Sequence, residues 1–275
     1  MGPVLKEGYR PVRSEPVSDP LAVIAGLPGV PEAVEEAREA VDRLYRHRVL
    51  RRRSPEVSAE AALRGARASA ALAGDDVPLD ALRRGEVSSP VVQGALRASA
   101  ELGRLGSTWR STPRQVLARV HTLAAVGLAD EADIGRPRTG AAAADPLALG
   151  PAPTAEQTAA RMDALFTLVT GQTKAPALVL AAVVHAELAV LRPFGIADGV
   201  VARAAERLTL VEYGLDPKSL VPIEVGHLEL PYAEGLRAYL QGTGEGVAAW
   251  VRQCASAVTL GVRETIAICE AMQRA

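Results

Sequence analysis

The chain has 275 residues, 48% of them hydrophobic, with 31 basic and 32 acidic side chains and no asparagine. That length holds one large or two small domains with an ample core. Near-neutral charge excludes a nucleic-acid coat protein or a polybasic membrane binder, which need surplus Lys and Arg against phosphates, and two Trp, five Tyr and two Phe are too few for base-stacking platforms.

Absence of Asn rules out N-glycosylation and any step that needs an Asn carboxamide. Among the basic residues only Lys6, Lys174 and Lys218 are Lys, a skew that fits GC-rich codon usage. Cys254 and Cys269 are spaced neither as zinc ligands nor as a secreted disulfide framework, so buried free thiols are expected. Met1 to Arg10 has no apolar signal segment. The most apolar run, Ala175 to Leu191, carries His185 and Glu187 and is shorter than the ~20 residues of a bilayer span. A soluble cytoplasmic protein is expected, with neither membrane nor nucleic acid as partner.

In chain order, residues 1–30 are rich in Pro and Gly and read as an extended arm. Residues 31–105 read as an N-terminal helical region. Its first helix starts at Pro31, with Glu32, Glu35 and Glu36 toward the positive end, and runs to about Arg53. The basic tail Arg46 to Arg53 is read as cations at that helix's C-terminus, with contact to an anion or partner as the alternative. Ser58 to Ala73 is a second helix ending at Gly74, and Leu79 to Leu82 and Val91 to Leu105 are two short ones.

Residues 106–275 read as the helical core. Thr112-Pro113 opens a helix in which Val116, Leu117, Val120 and Leu123 recur at three and four. Ala129 to Pro153 is a long loop with room for a small hairpin. Thr154 to Gln157 caps the next helix, which runs to about Thr170. From Ala177 to Leu191 both faces are apolar, the mark of a central helix, and it stops at Arg192-Pro193. Gly199 to Glu212, Tyr232 to Leu240 and Gly246 to Met272 are helical, while Val221 to Val225 alternates with period two. The fold class is all-α.

No phosphate-binding P-loop, nucleophile elbow or His-Glu-x-x-His occurs. Gly242 to Gly246 follows a helix and reads as a linker. His185-Ala186-Glu187 lacks the Pro-Cys-x-x-Cys that would complete a zinc deaminase signature. His121, His185 and His227 are isolated in sequence and read as hydrogen-bonded core or loop residues, so no metal site is expected.

One segment is more specific: Arg192-Pro193-Phe194-Gly195-Ile196-Ala197-Asp198-Gly199-Val200-Val201-Ala202-Arg203, a tight turn between two helices. The N-terminus of such a second helix favours anions. It resembles the motif of the Fic family of adenylyltransferases, His-Pro-Phe-x-Asp/Glu-Gly-Asn-Gly-Arg-x-x-Arg, with Pro193, Phe194, Gly199 and Arg203 matching without gaps. The flanks are similar too: His185 to Leu188 before the loop, Arg203 to Leu215, Tyr232 to Tyr239 and Gly246 to Trp250 after it. Thr112 to Leu123 with His121, then Gly135-Arg136, resembles the helix and target-docking flap upstream of it. Ser69 to Gly74 is similar to the inhibitory helix. The resemblance spans about residues 58 to 270.

The resemblance implies an all-α, Fic-like core whose chemistry has been dismantled. Arg192 stands where the general-base His belongs and cannot accept a proton. Ile196 replaces the Mg²⁺-binding acid and offers a hard cation no oxygen. Ala197 replaces a loop Gly, Val200 the first phosphate-binding Arg, Asp198 the Asn, and Ala73 the inhibitory Glu. Asp198 is expected to cap the following helix and to pair with Arg192 and Arg203 in a closed network. The candidate binding residues are Arg192, Pro193, Phe194, Asp198, Gly199 and Arg203, with no catalytic set intact and no metal ligands. Three readings stand. The first is an inactive Fic-like module for an unidentified protein partner, with no cofactor. The second is a transferase of a nucleotide or phosphate-bearing group to a protein hydroxyl by altered chemistry, with ATP and Mg²⁺ as cofactors where activity remains. The third is a helical structural or toxin–antitoxin-type interaction protein, for which a homodimer is one form.

Overall fold

The structure is a computed structural model that describes residues 19–274. The part of the expected arm that falls on residues 1–18 lies outside the described residues. The rest of the arm is not extended: Asp19 accepts a hydrogen bond from the Leu21 N–H (3.1 Å), and with Pro20 in the first turn it starts a short helix, α1 (Pro20–Ala25), that buries Leu21. A proline that breaks a helix interior is well suited to a first turn, which is why its presence misled.

Helix α2 spans Val30–Tyr45 and α3 spans Leu50–Leu72. The expected break near residues 54–57 is only a kink, at Arg53 (φ −122°), ahead of Pro55. The true break is the turn between Tyr45 and Leu50, so the basic run is split. Arg46 ends α2, Arg51 and Arg52 open α3, and Arg48 and Arg53 reach the far end of the chain, bonding Gln273 Oε1 (2.9 Å) and Met272 O (3.0 Å). Cations do sit at a helix C-terminus, but largely at that of another helix.

Then follow α4 (Leu79–Arg83), α5 (Pro90–Trp109), α6 (Pro113–Ala125), α7 (Ala155–Thr170), α8 (Ala177–Leu191), α9 (Asp198–Glu212), α10 (Ile223–Glu229), α11 (Tyr232–Leu240) and α12 (Gly244–Arg274). Thr154 and Gln157 form the expected capping box of α7, whereas Thr112 makes no side-chain cap on α6. The alternation around Val221 to Val225 lies where a buried non-helical stretch, Val221-Pro222, leads into α10. No sheet occurs among the described residues, and the long loop holds no hairpin, only an isolated bridge between Val126 and Ala129. The fold is all-α. No helix among the described residues is long and apolar enough to cross a membrane.

Helices α8 and α9 pack side by side at the centre. Thirteen of the residues of α8 are buried, so the helix with apolar faces all round is indeed the innermost one. Around this pair, α12 packs against α2, α10 and α11, and α5 packs against α6 and α3. Both tryptophans are fully buried and satisfied: Trp250 Nε1 donates to Ala182 O (2.8 Å) and Trp109 Nε1 to Thr209 Oγ1 (3.0 Å). The α5–α6 contact is closest at Gly94, where a β-carbon would lie 2.2 Å from Ala124 O. Gly94→Ala should therefore force these helices apart and cost on the order of 2 kcal/mol, read as a lower denaturation midpoint at unchanged slope.

Candidate functional site

The loop from Arg192 to Ala197 joins the two central helices. Helix α8 ends on Arg192 in the left-handed region (φ 48°), Gly195 follows at φ 83°, and Ala197 (φ 57°) enters α9 in the same region. Two non-glycine residues held left-handed cost about 1 kcal/mol or more each, and such strain persists only where neighbours over-determine the backbone.

Here the neighbours are in the long loop. Arg138 N–H donates to Pro193 O (2.8 Å) and Ala144 N–H to Gly195 O (2.7 Å), so residues 138–144 run along the turn. The Arg138 guanidinium donates from Nε to Arg192 O (2.8 Å) and from Nη2 to Leu191 O (3.2 Å), Pro153 O (2.6 Å) and Thr158 Oγ1 (2.9 Å). It serves the orphan carbonyls at the end of α8 while tying down both ends of the loop. Sequence reasoning missed this residue. Its only signal was an arginine inside a long Pro- and Gly-rich stretch.

Arg192 is buried. Nη2 donates to Gly150 O (2.6 Å) and Nη1 lies 3.4 Å from Asp145 Oδ1. Asp145 is itself held by the Leu149 and Gly150 N–H groups (2.9 and 2.8 Å). Phe194 stacks on His121 at 4.1 Å between centroids, and His121 Nδ1 accepts from Gly135 N–H (2.9 Å). Burial pulls the His121 pKa down to about 4, so this imidazole is neutral.

Asp198 does not cap α9. Its Oδ1 turns back to accept from Phe194 N–H (2.9 Å), while Oδ2 is buried without a partner. Neither Arg192 nor Arg203 comes within ion-pair distance of it, so the expected closed network does not form. Burial raises its pKa from 3.8 to about 7, against smaller opposing effects of the Phe194 and Gly195 backbone and of Arg138 and Arg192.

Arg203 is instead spent elsewhere. Nε donates to Ser69 Oγ (2.9 Å), Nη2 to Ser69 O (2.8 Å) and Nη1 to Tyr232 Oη (3.3 Å). The end of α3, which resembles the inhibitory helix, thus docks on Arg203, with Ser69 in contact. The Tyr232 hydroxyl also meets His185 Nε2 (2.7 Å), and Glu206 Oε2 meets His185 Nδ1 (2.5 Å) and His227 Nε2 (2.8 Å). His185 and His227 are therefore not isolated. They are hydrogen-bonded core residues, as expected, but around one shared carboxylate. Burial drives the His185 pKa down to about 4 despite Glu206, and Glu206 is held below its ordinary value by the two imidazoles, which outweigh its own burial. With His185 neutral, its Nδ1 donates to Glu206 and its Nε2 accepts from the Tyr232 hydroxyl, while His227 Nε2 donates to the same Glu206 oxygen.

Between the loop, the end of α3 and residues 144–149 lies a cavity of about 370 Å³. Its walls are mostly apolar, including Leu72, Val91, Leu128, Leu147, Leu149 and Val200, with Asp145, Arg192, Asp198 and Arg203 as its charged residues. A hard cation needs several oxygens. Ile196 supplies none, Asp145 is engaged with Arg192, and the one spare carboxylate oxygen, Asp198 Oδ2, stands alone. These residues do not fit Mg²⁺. Nor does a phosphate find an open guanidinium edge: Arg203 is bonded at all three nitrogens, and the Arg192 nitrogen without a partner, Nε, is fully buried.

No family model matches this sequence, and no curated protein does. Among solved structures, a Fic family protein from Desulfovibrio desulfuricans G20 superposes with a TM-score of 0.72 at 22% identity, over 88% of this chain and 75% of that one. The chain has the Fic fold. A fragment of Fic-1 from C. elegans gives a TM-score of 0.66 at 18% identity over 88% and 73% of the two chains, and a point variant of that fragment gives 0.63. The fold expected from the loop and its flanks is therefore present.

The raised Asp198 pKa has a measurable sign. Between pH 3.8 and about 7 the folded chain holds a proton that the unfolded chain has lost, so this group's contribution to stability falls as pH rises through that window. Asp198→Asn should remove that slope, gaining on the native protein by at most about 4 kcal/mol between pH 4 and pH 8. Parallel stability curves for the two proteins would show that the carboxyl is not perturbed.

Proposed function

We propose that this Fic-fold protein has lost adenylyltransferase activity and serves as a binding or regulatory module for a protein partner. The observation that carries the reading is Arg192. At the general-base position of the motif it resembles stands a buried, permanently charged guanidinium held by Asp145 and Gly150. The poor fit of the loop cavity to Mg²⁺ and the engagement of Arg203 by Ser69 and Tyr232 support the same reading. On it, no cofactor is needed, and the partner is another protein or a second copy of this chain in the cytoplasm, not nucleic acid or membrane.

Incubated with labelled ATP, Mg²⁺ and a cell lysate, the protein should transfer no label, and millimolar ATP should leave its melting temperature unchanged. Labelled protein that disappears with Arg192→Ala would overturn the reading.

One observation favours a second reading, a transferase of altered chemistry acting on a protein hydroxyl. A carboxyl with a pKa of about 7 is matched to general-base work, and Asp198 lines the cavity. On this reading label transfer persists and is lost with Asp198→Asn, whose backbone contact to Phe194 an Asn oxygen would keep.

A further inference from the structure

We propose that the buried cluster of His185, Glu206, His227 and Cys254 is a structural site for a thiophilic divalent cation of the zinc type. The four residues come from four helices, α8, α9, α10 and α12. The ligand atoms of the two histidines and the glutamate lie within 4.8 Å of one another, and all four side chains are buried. Spacing along the chain hides the site, because Glu206 stands 21 residues from each histidine. The chain has only four histidines and two cysteines, yet two of the former and one of the latter meet at this single carboxylate. A buried carboxylate ordinarily takes a guanidinium, and Arg203 and Arg207 lie on the same helix, but both are turned to other partners. Glu206 gathers two imidazoles and a thiol instead, a donor set that suits zinc and fits Mg²⁺ poorly.

The two imidazoles converge on one point. His185 Nδ1 and His227 Nε2 both aim at Glu206 Oε2, at 2.5 and 2.8 Å, from rings set at 85° to each other. Zinc–nitrogen bonds are about 2.0–2.1 Å, so an ion in place of that oxygen needs each imidazole to close in by under about 1 Å while the carboxylate draws back by one bond length. Cys254 lies close enough to Glu206 that the carboxylate adds to burial in raising its thiol pKa well above the ordinary value. Coordination removes that proton outright. Binding is then an exchange in which the ion enters and one proton, that of Cys254, leaves. Each imidazole keeps a single proton on the nitrogen away from the metal, Nε2 of His185 facing Tyr232 Oη and Nδ1 of His227. A 2+ ion, a carboxylate and a thiolate sum to zero charge, which a site closed to water favours. With every ligand buried, no position is left for a substrate, so the ion would pin four helices together and take no part in turnover.

For the test, the full chain without a metal-binding tag is expressed in minimal medium supplemented with Zn²⁺ or Co²⁺ and purified without chelator, since a buried site fills as the chain folds. About one zinc or cobalt per chain is expected by elemental analysis, and no Mg²⁺. The cobalt form should show the visible bands of a tetrahedral site and a thiolate-to-cobalt charge-transfer band in the near ultraviolet. Cys254→Ser should erase the charge-transfer band and loosen the ion at least about tenfold against a competing chelator, whereas Cys269→Ser, at the other thiol, should change neither. His227→Gln should bring bound metal down to background, and where that variant does not fold the Cys254→Ser spectrum decides. Protein from supplemented cells with no ion above background, a charge-transfer band that survives Cys254→Ser, or metal lost with Cys269→Ser would each overturn the proposal.

Discussion

Three charges on one buried helix organise this molecule. Arg203, Glu206 and Arg207 lie within a turn and a half of α9, and none is more than 3% exposed. An unpaired charge in such a place would cost several kcal/mol, so the surrounding helices must deliver partners. They do: Ser69 from α3 and Tyr232 from α11 for Arg203, His185 from α8 and His227 from α10 for Glu206, Glu224 from α10 for Arg207 (3.5 Å) with Ser219 Oγ (2.7 Å). The packing of five helices is thus fixed by hydrogen-bond geometry as well as by apolar area. Trp250 closes the set by stacking on His227 at 5.8 Å between centroids.

That constraint bears directly on the loop. Because Arg203 faces inward to Ser69 and Tyr232, it is not at the disposal of a ligand phosphate. Because Arg138 holds the carbonyls at the end of α8, the strained turn through Arg192 and Ala197 keeps one shape. The cavity beside it is preformed, apolar on most of its walls, and carries paired or buried polar groups in place of free donors. The backbone that frames it has the Fic fold.

Much of this was legible in the residues. The 3.6 period and the all-round apolar face of Ala177 to Leu191 identified the central helix, and Pro193, Phe194, Gly199 and Arg203 marked the turn that follows it. Errors arose where a local signal had two meanings. Proline at position 20 starts a helix, although it reads as a breaker, and Pro55 sits in a kink that one helix spans. Loop residues such as Arg138 and Asp145 gave no usable signal, since the contacts that tie them to the turn, to the Leu191 and Arg192 carbonyls and to the Arg192 guanidinium, join positions more than forty residues apart.

By itself the sequence determined the class of the fold, its central helices and the residues of the turn that follows α8, because these depend on residue type and on spacing along one helix. Which charges pair was decided only by the tertiary structure. Asp198 turned to Phe194 and not to Arg192 or Arg203, and two histidines 42 positions apart converged on Glu206. The physical reason is that a buried charge takes whatever donor or acceptor the packing brings within about 3 Å, and that distance is not encoded by proximity along the chain.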